Sequence, residues 1–161
     1  MSGAPSIDPG MYALFCSELE THAGTLKAGM DGLGAPPYSK EKMEPLVRAA
    51  HSVKGAARII GLTAIARLAG GMETFFESVA RGKTAMTGDR IEAGRNVEAL
   101  FRKLAKLTAA ESGTALSEMA PTLEELGRCF SAEAGQPSPA PAARPAPPPA
   151  SLAGDASMLE L

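Results

Sequence analysis

Apolar side chains along this chain recur every three to four residues, the period of a helix buried on one face. Nowhere do they alternate singly over the four to eight residues that a half-buried strand requires. The first such stretch opens at Asp8-Pro9, where Asp can cap and Pro suits the first helical position. Met11, Leu14, Phe15, Leu19, His22 and Leu26 then share a face, and Gly29, Gly32 and Gly34 with Pro36-Pro37 end the helix near residue 30. A second helix begins between Ser39 and Pro45 and turns Met43, Leu46, Val47, Ala50, Val53, Ala57 and Ile60 inward. Gly61 fits the left-handed position that stops it. Thr63 is the expected cap of a third helix, with Ile65, Leu68, Ala69, Met72, Phe75, Phe76 and Val79 on its buried face and Arg81-Gly82-Lys83 at its end. Thr87-Gly88-Asp89 opens a fourth, with Ile91, Val97, Leu100, Phe101, Leu104 and Leu107 inward. A loop is then expected, followed by a short fifth helix whose capping box is Thr122-Leu123-Glu124-Glu125 and which ends near Phe130.

Short connections between amphipathic helices predict an all-α chain: an antiparallel up-down four-helix bundle with a short fifth helix appended. Hydrophobic residues make up 45% of the chain, but aromatics only 4%, and Trp is absent. The core must therefore be aliphatic, with the eight methionines acting as filler rather than as ligands. Residues 1–7 are expected to be disordered and 8–131 to form the bundle. Residues 132–150 carry seven prolines between Pro137 and Pro149 and predict an extended linker. Residues 151–161 read as the start of a further segment, which suggests the N-terminal piece of a longer protein.

The formal charge of −2 argues against a nucleic-acid binder, and no run approaches the length of a membrane span. Cys16 and Cys129 are far apart in sequence and outside any CxxC spacing, so neither a bridge nor a metal site is expected, and a cytoplasmic location fits best. A metal centre in the bundle would need more ligands than two histidines and no Glu-x-x-His pair provide.

Candidate chemistry centres on His51. The second and third helices turn back on each other near Leu62, with His51 eleven residues before it and Glu73 eleven after. At ~1.5 Å per residue both sit ~16 Å from the turn, at one height, and the same pairing sets Lys54 opposite Gly70. Each of His51 and Glu73 lies ~120° from the middle of its helix's apolar arc, in the same rotational sense, so both can face one seam. A carboxylate on one ring nitrogen would fix the tautomer and make the other more nucleophilic. Lys54 and Arg58 can neutralise a phosphoryl group, Arg48 is a possible contact, and Gly55 leaves room for a partner to close over the ring. His22, on the apolar face of the first helix, reads as a packed or seam residue.

His51-Ser52-Val53-Lys54-Gly55 with Gly61-Leu62, and Met72-Glu73 followed by Val79-Ala80-Arg81-Gly82-Lys83, resemble the motifs of histidine-containing phosphotransfer (HPt) domains. The likeness is to the N-terminal domain of CheA-like hybrid sensor histidine kinases, chemotaxis or Wsp type, and covers roughly residues 8–131. The resemblance implies that His51 accepts a phosphoryl group from an ATP-bound kinase domain and passes it to a receiver aspartate in two-component signalling. It carries Lys54 and Glu73 over as phosphate-neutralising and imidazole-orienting residues. It also implies that the partner kinase domain supplies ATP and Mg, with no cofactor on this chain, and that the isolated domain is a monomer. The nucleotide-binding motifs of such kinases are absent, so this chain alone is not expected to hydrolyse ATP. One position departs from the pattern: where a second histidine often stands three residues before the glutamate, this chain has Gly70. The alternative function is a helical docking or scaffold module in which His51 is incidental.

Overall fold

The computed structural model describes residues 7–131. The expectations for residues 1–6, for the linker 132–150 and for the segment 151–161 lie outside the described residues, whereas Ile7 packs half-buried against the core. Among the described residues there are five helices and no strand: α1 (Pro9–Asp31), α2 (Lys40–Ile59), α3 (Thr63–Ala80), α4 (Gly88–Ala105) and α5 (Ala109–Cys129).

Local chemistry sets most of the boundaries. The Asp8 carboxylate accepts from the Met11 N–H at 2.9 Å. Ser39 accepts from the Lys42 N–H, and Thr87 from the Arg90 N–H. These bonds satisfy donors that a helix start would otherwise leave unpaired. Gly61, at φ 81°, closes α2: its own N–H reaches the Arg58 carbonyl and the Leu62 N–H the Ala57 carbonyl, a paired arrangement open to a residue that tolerates positive φ. Gly82, at φ 73°, repeats it at the end of α3. That first turn is so tight that the expected cap shifts by one residue. Leu62 is the N-cap of α3, with no side-chain acceptor, and Thr63 is already helical.

The expected loop and short fifth helix are corrected. α5 is 21 residues long and runs through Pro121, and its reciprocal capping box is Thr108 with Glu111 rather than Thr122 with Glu125. The first half of α5 buries little besides Ser112, so it lacks the apolar rhythm that marks the other helices. Nor is α5 merely appended. It packs on both α3 and α4 and touches α1, while α1 lies between α2 and α4 and the broadest contact joins α2 to α3.

α1 and α2 run antiparallel, as do α2 and α3, and α4 and α5. Gly29 of α1 lies on Leu46 of α2, where a Cβ would come within 2.6 Å of Leu46 Cδ2, so this glycine is a spacer inside α1 and not part of its stop. Gly94 of α4 likewise faces Met30. The buried stripe of α1 is Tyr12, Phe15, Leu19, Ala23, Leu26 and Met30, rotated from the expected arc, so that Met11 and Leu14 are exposed and His22 half-buried. The rotation follows from Tyr12, which buries its ring and donates its hydroxyl to the Leu104 carbonyl at 2.9 Å. Burial, and secondarily the neighbouring Cys16, pushes that hydroxyl's pKa upward. In α2, Ala49 is buried while Val47 and Ile60 are half-buried, as are Ile91 and Leu107 near the ends of α4. The expected inward face of α3 is buried throughout, with Phe75 and Phe76 edge-on to Phe130 beyond α5. None of the described helices is long and apolar enough to cross a membrane.

Candidate functional site

The α2–α3 hairpin fixes one polar cluster. Ala50, Val53 and Ala57 on α2 and Ala69, Met72 and Phe76 on α3 are buried. The alanines among them let the two helices approach closely, so short side chains at the edge of the seam can meet across it. His51 and Glu73 arrive at one level there, and His51 Nδ1 stands 2.8 Å from Glu73 Oε2. Lys54 Nζ donates to the other carboxylate oxygen, Oε1, at 2.6 Å. The His51 side chain is 65% exposed and that of Glu73 14%.

Burial works to raise the Glu73 pKa. Hydrogen bonds from Lys54 and His51, with their charges, outweigh it and hold the carboxyl below its ordinary value of 4.5. Glu73 is therefore an anion at neutral pH, and an anion 2.8 Å from Nδ1 requires Nδ1 to carry the ring proton. That leaves the Nε2 lone pair on an imidazole that is largely open to solvent. Chemically such an arrangement can serve as a nucleophile with a built-in counter-ion: positive charge developing on the ring, were Nε2 to attack an electrophile, would fall directly on Glu73.

The remaining sequence candidates stand outside this cluster. Gly55, one turn beyond His51, is exposed, and a Cβ there would meet nothing within 4 Å. Arg48 pairs with Glu44 at 2.9 Å, one turn before His51, and points away from the His51–Glu73 pair. Arg58 lines a shallow hollow at the far end of α2 with Gly61, Thr63 and Arg67. His22 lines a hollow between α1 and α2 beside Glu41, Glu44 and Arg48. Cys16 and Cys129 are both free thiols. Among the described residues no group of three or more His, Cys, Asp or Glu side chains is placed to hold a metal ion. One residue that the helical pattern does not single out is Ile59. It is 73% exposed, two turns beyond His51, and its only sequence signal is that it falls off the Ala50-Val53-Ala57 stripe.

The family model described as the Hpt domain matches residues 10–143, most of the chain. Among solved structures, the chain is similar to the phosphorylated P1 domain of CheA3, in complex with CheY6, from R. sphaeroides. The identity is 24%, the TM-score 0.58, and the match covers 76% of this chain and 99% of that one. At that identity the likeness is one of fold. No curated protein matches the chain.

Proposed function

The chain belongs to the Hpt domain family, and on that premise we propose that His51 is the residue on which it carries a phosphoryl group between a histidine kinase domain and a response-regulator receiver. The observation that carries this reading is the His51–Glu73 pair, a 2.8 Å contact on a ring left 65% exposed. A packed or merely solvated histidine has no need of a half-buried anion on one nitrogen and open solvent around the other.

In the proposed cycle the kinase domain holds ATP and Mg. His51 Nε2 attacks the γ-phosphorus, the Nε2–P bond forms, the bridging P–O bond breaks, and ADP leaves. The ring becomes a cation whose Nδ1–H remains on Glu73, and no proton need move. In the second step a receiver aspartate oxygen attacks phosphorus, the N–P bond breaks, and the electron pair returns to Nε2. Such transfers depend on positioning and charge neutralisation more than on covalent help from the carrier, which fits a rigid helical rim bearing one nucleophile. Lys54 supports Glu73 here, and Gly55 leaves the surface beside the ring flat. Arg48, paired with Glu44, and Arg58, at the far end of α2, are assigned to contact with a partner.

A receiver as acceptor is supported by the fold's likeness to a P1 domain captured with CheY6. A cytoplasmic location fits the same partners, and the sequence of residues 132–150 suits a tether to them. The scaffold alternative gives no account of the Glu73 pairing. The test is incubation with ATP and a CheA-like kinase core: an acid-labile, base-stable label on the wild type that is lost in His51→Gln supports the relay. A His51→Gln protein labelled as fully as the wild type overturns it.

A further inference from the structure

Lys54 is only 22% exposed, although it lies at the rim of the bundle. Its stem does not project into solvent but lies down across α3, from the level of Gly70 to the level of Glu73, one turn further on. The path is visible at Gly70. A Cβ built there would stand 3.3 Å from Lys54 Cδ, and among the described residues nothing else, its two chain neighbours and the helix's own backbone aside, comes within 4 Å of it. The space beside Gly70 is therefore a shelf already filled by the lysine stem. At the end of that path Nζ meets Glu73 Oε1 at 2.6 Å, which leaves Oε2 for His51 Nδ1 at 2.8 Å.

We propose that Gly70 is a positioning residue: by lacking a side chain it lets Lys54 lie across α3 and hold Glu73 in the orientation that engages His51. Gly70 touches no reacting atom and acts only through Lys54. A methyl group at 70 asks Lys54 Cδ to give by a few tenths of an ångström, which a lysine stem can do. A branched chain of four carbons takes the shelf outright and lifts the ammonium off the carboxylate. Glu73 then loses its lysine hydrogen bond, and its hold on Nδ1 loosens. The structural part of this inference stands on contacts alone; its kinetic part rests on the reading of His51 as the phosphoryl carrier.

The test is a double-mutant cycle on the full chain: wild type, Gly70→Leu, Lys54→Met and the double variant, with Gly70→Ala as an intermediate step. Three readouts are followed: the Glu73 carboxyl titration by ¹³C NMR, the His51 tautomer by ¹⁵N shifts, and the phosphorylation rate with ATP and a kinase core. Gly70→Leu is expected to move the Glu73 midpoint upward as Lys54→Met does, to weaken the Nδ1–H preference, and to slow phosphorylation about fivefold. In the Lys54→Met background Gly70→Leu should add nothing, because its route of action is gone. Leucine is the better helix former, so Gly70→Leu should melt no lower than the wild type, which separates a lost position from a lost fold. An unchanged Glu73 midpoint in Gly70→Leu, or a full further loss in the double variant, overturns the proposal. Should the wild type take no phosphate on His51, the functional reading fails, and the titration and tautomer still decide the role of Gly70.

Discussion

Removing the Glu73 carboxylate separates chemistry from fold. In Glu73→Ala, His51 loses the acceptor 2.8 Å from Nδ1 and Lys54 loses its anion. A hydrogen bond to a charged group contributes about 1.5–3 kcal/mol. The low end applies here, since the imidazole is 65% exposed and water screens the pair. About 1.5 kcal/mol less stabilisation of the ring cation predicts a rate of phosphorylation roughly tenfold lower. Glu73→Gln keeps an acceptor without the charge, and its loss should be about fivefold. Stability should barely move. Glu73 lies at the rim of α3, the freed Lys54 can reach water, and alanine is a good helix former, so the melting temperature should shift by less than about 4 °C. Initial rates with a kinase core, measured beside thermal melts of the same samples, make the comparison. A Glu73→Ala protein phosphorylated at the wild-type rate, or one whose slow rate is matched by unfolding, would remove Glu73 from the chemistry of His51.

Further expectations follow from charge and packing. Because Glu73 ionises below its ordinary value in the fold, its stabilising effect is fully present above about pH 4.5 and fades as pH falls through the folded value. The stability gap between wild type and Glu73→Gln should thus close as pH falls from about 4.5 through the folded Glu73 value; denaturant melts across that range show it, and a gap that stays open or widens there contradicts it. Gly29→Ala places a Cβ against Leu46 and should destabilise by about 1 kcal/mol in spite of the better helix former, while Gly113→Ala meets nothing and should gain about 0.5–1 kcal/mol. Equal effects at the two sites would remove the spacer role of Gly29. Ile59 lies about 12 Å along α2 from His51, on surface that a protein covering His51 can reach. Ile59→Lys, which places a cation in the last turn of α2, should therefore weaken transfer to a receiver about tenfold without lowering the melting temperature, and unchanged transfer would leave Ile59 without a part in it.

The site was legible in the sequence because an antiparallel hairpin leaves little freedom. A glycine at 61 fixes where α2 stops, the helical rise then sets which residues share a level, and the apolar arcs set which way they face. His51, Glu73, Lys54 and Gly70 all follow from that register. What Lys54 does with its length does not follow, since a flexible stem can reach outward as readily as along α3. The match of Glu73 and Lys54 at 2.6 Å is a fact of packing. The same limit appears elsewhere. The sequence reads Gly29 as part of the stop of the first helix and Gly94 as a residue that weakens the fourth, and only the neighbouring Leu46 and Met30 show that both are places of close approach. The start of α5 was hidden because Thr108 and Glu111 begin a helix whose first half buries almost nothing, and a later Thr-x-x-Glu with Leu123 and Leu126 gives the stronger apolar signal. The buried arc of α1 turned on Tyr12, whose hydroxyl needs a partner that only the fold supplies.

His51 should react through the nitrogen that Glu73 leaves free. Phosphorylating the ¹⁵N-histidine-labelled chain with ATP and a kinase core, then recording ³¹P and ¹⁵N spectra at alkaline pH, locates the phosphorus on the ring. A single phosphohistidine at His51 is expected, with the N–P bond at Nε2 and the proton on Nδ1. Phosphorus on Nδ1, or on a residue other than His51, would contradict it.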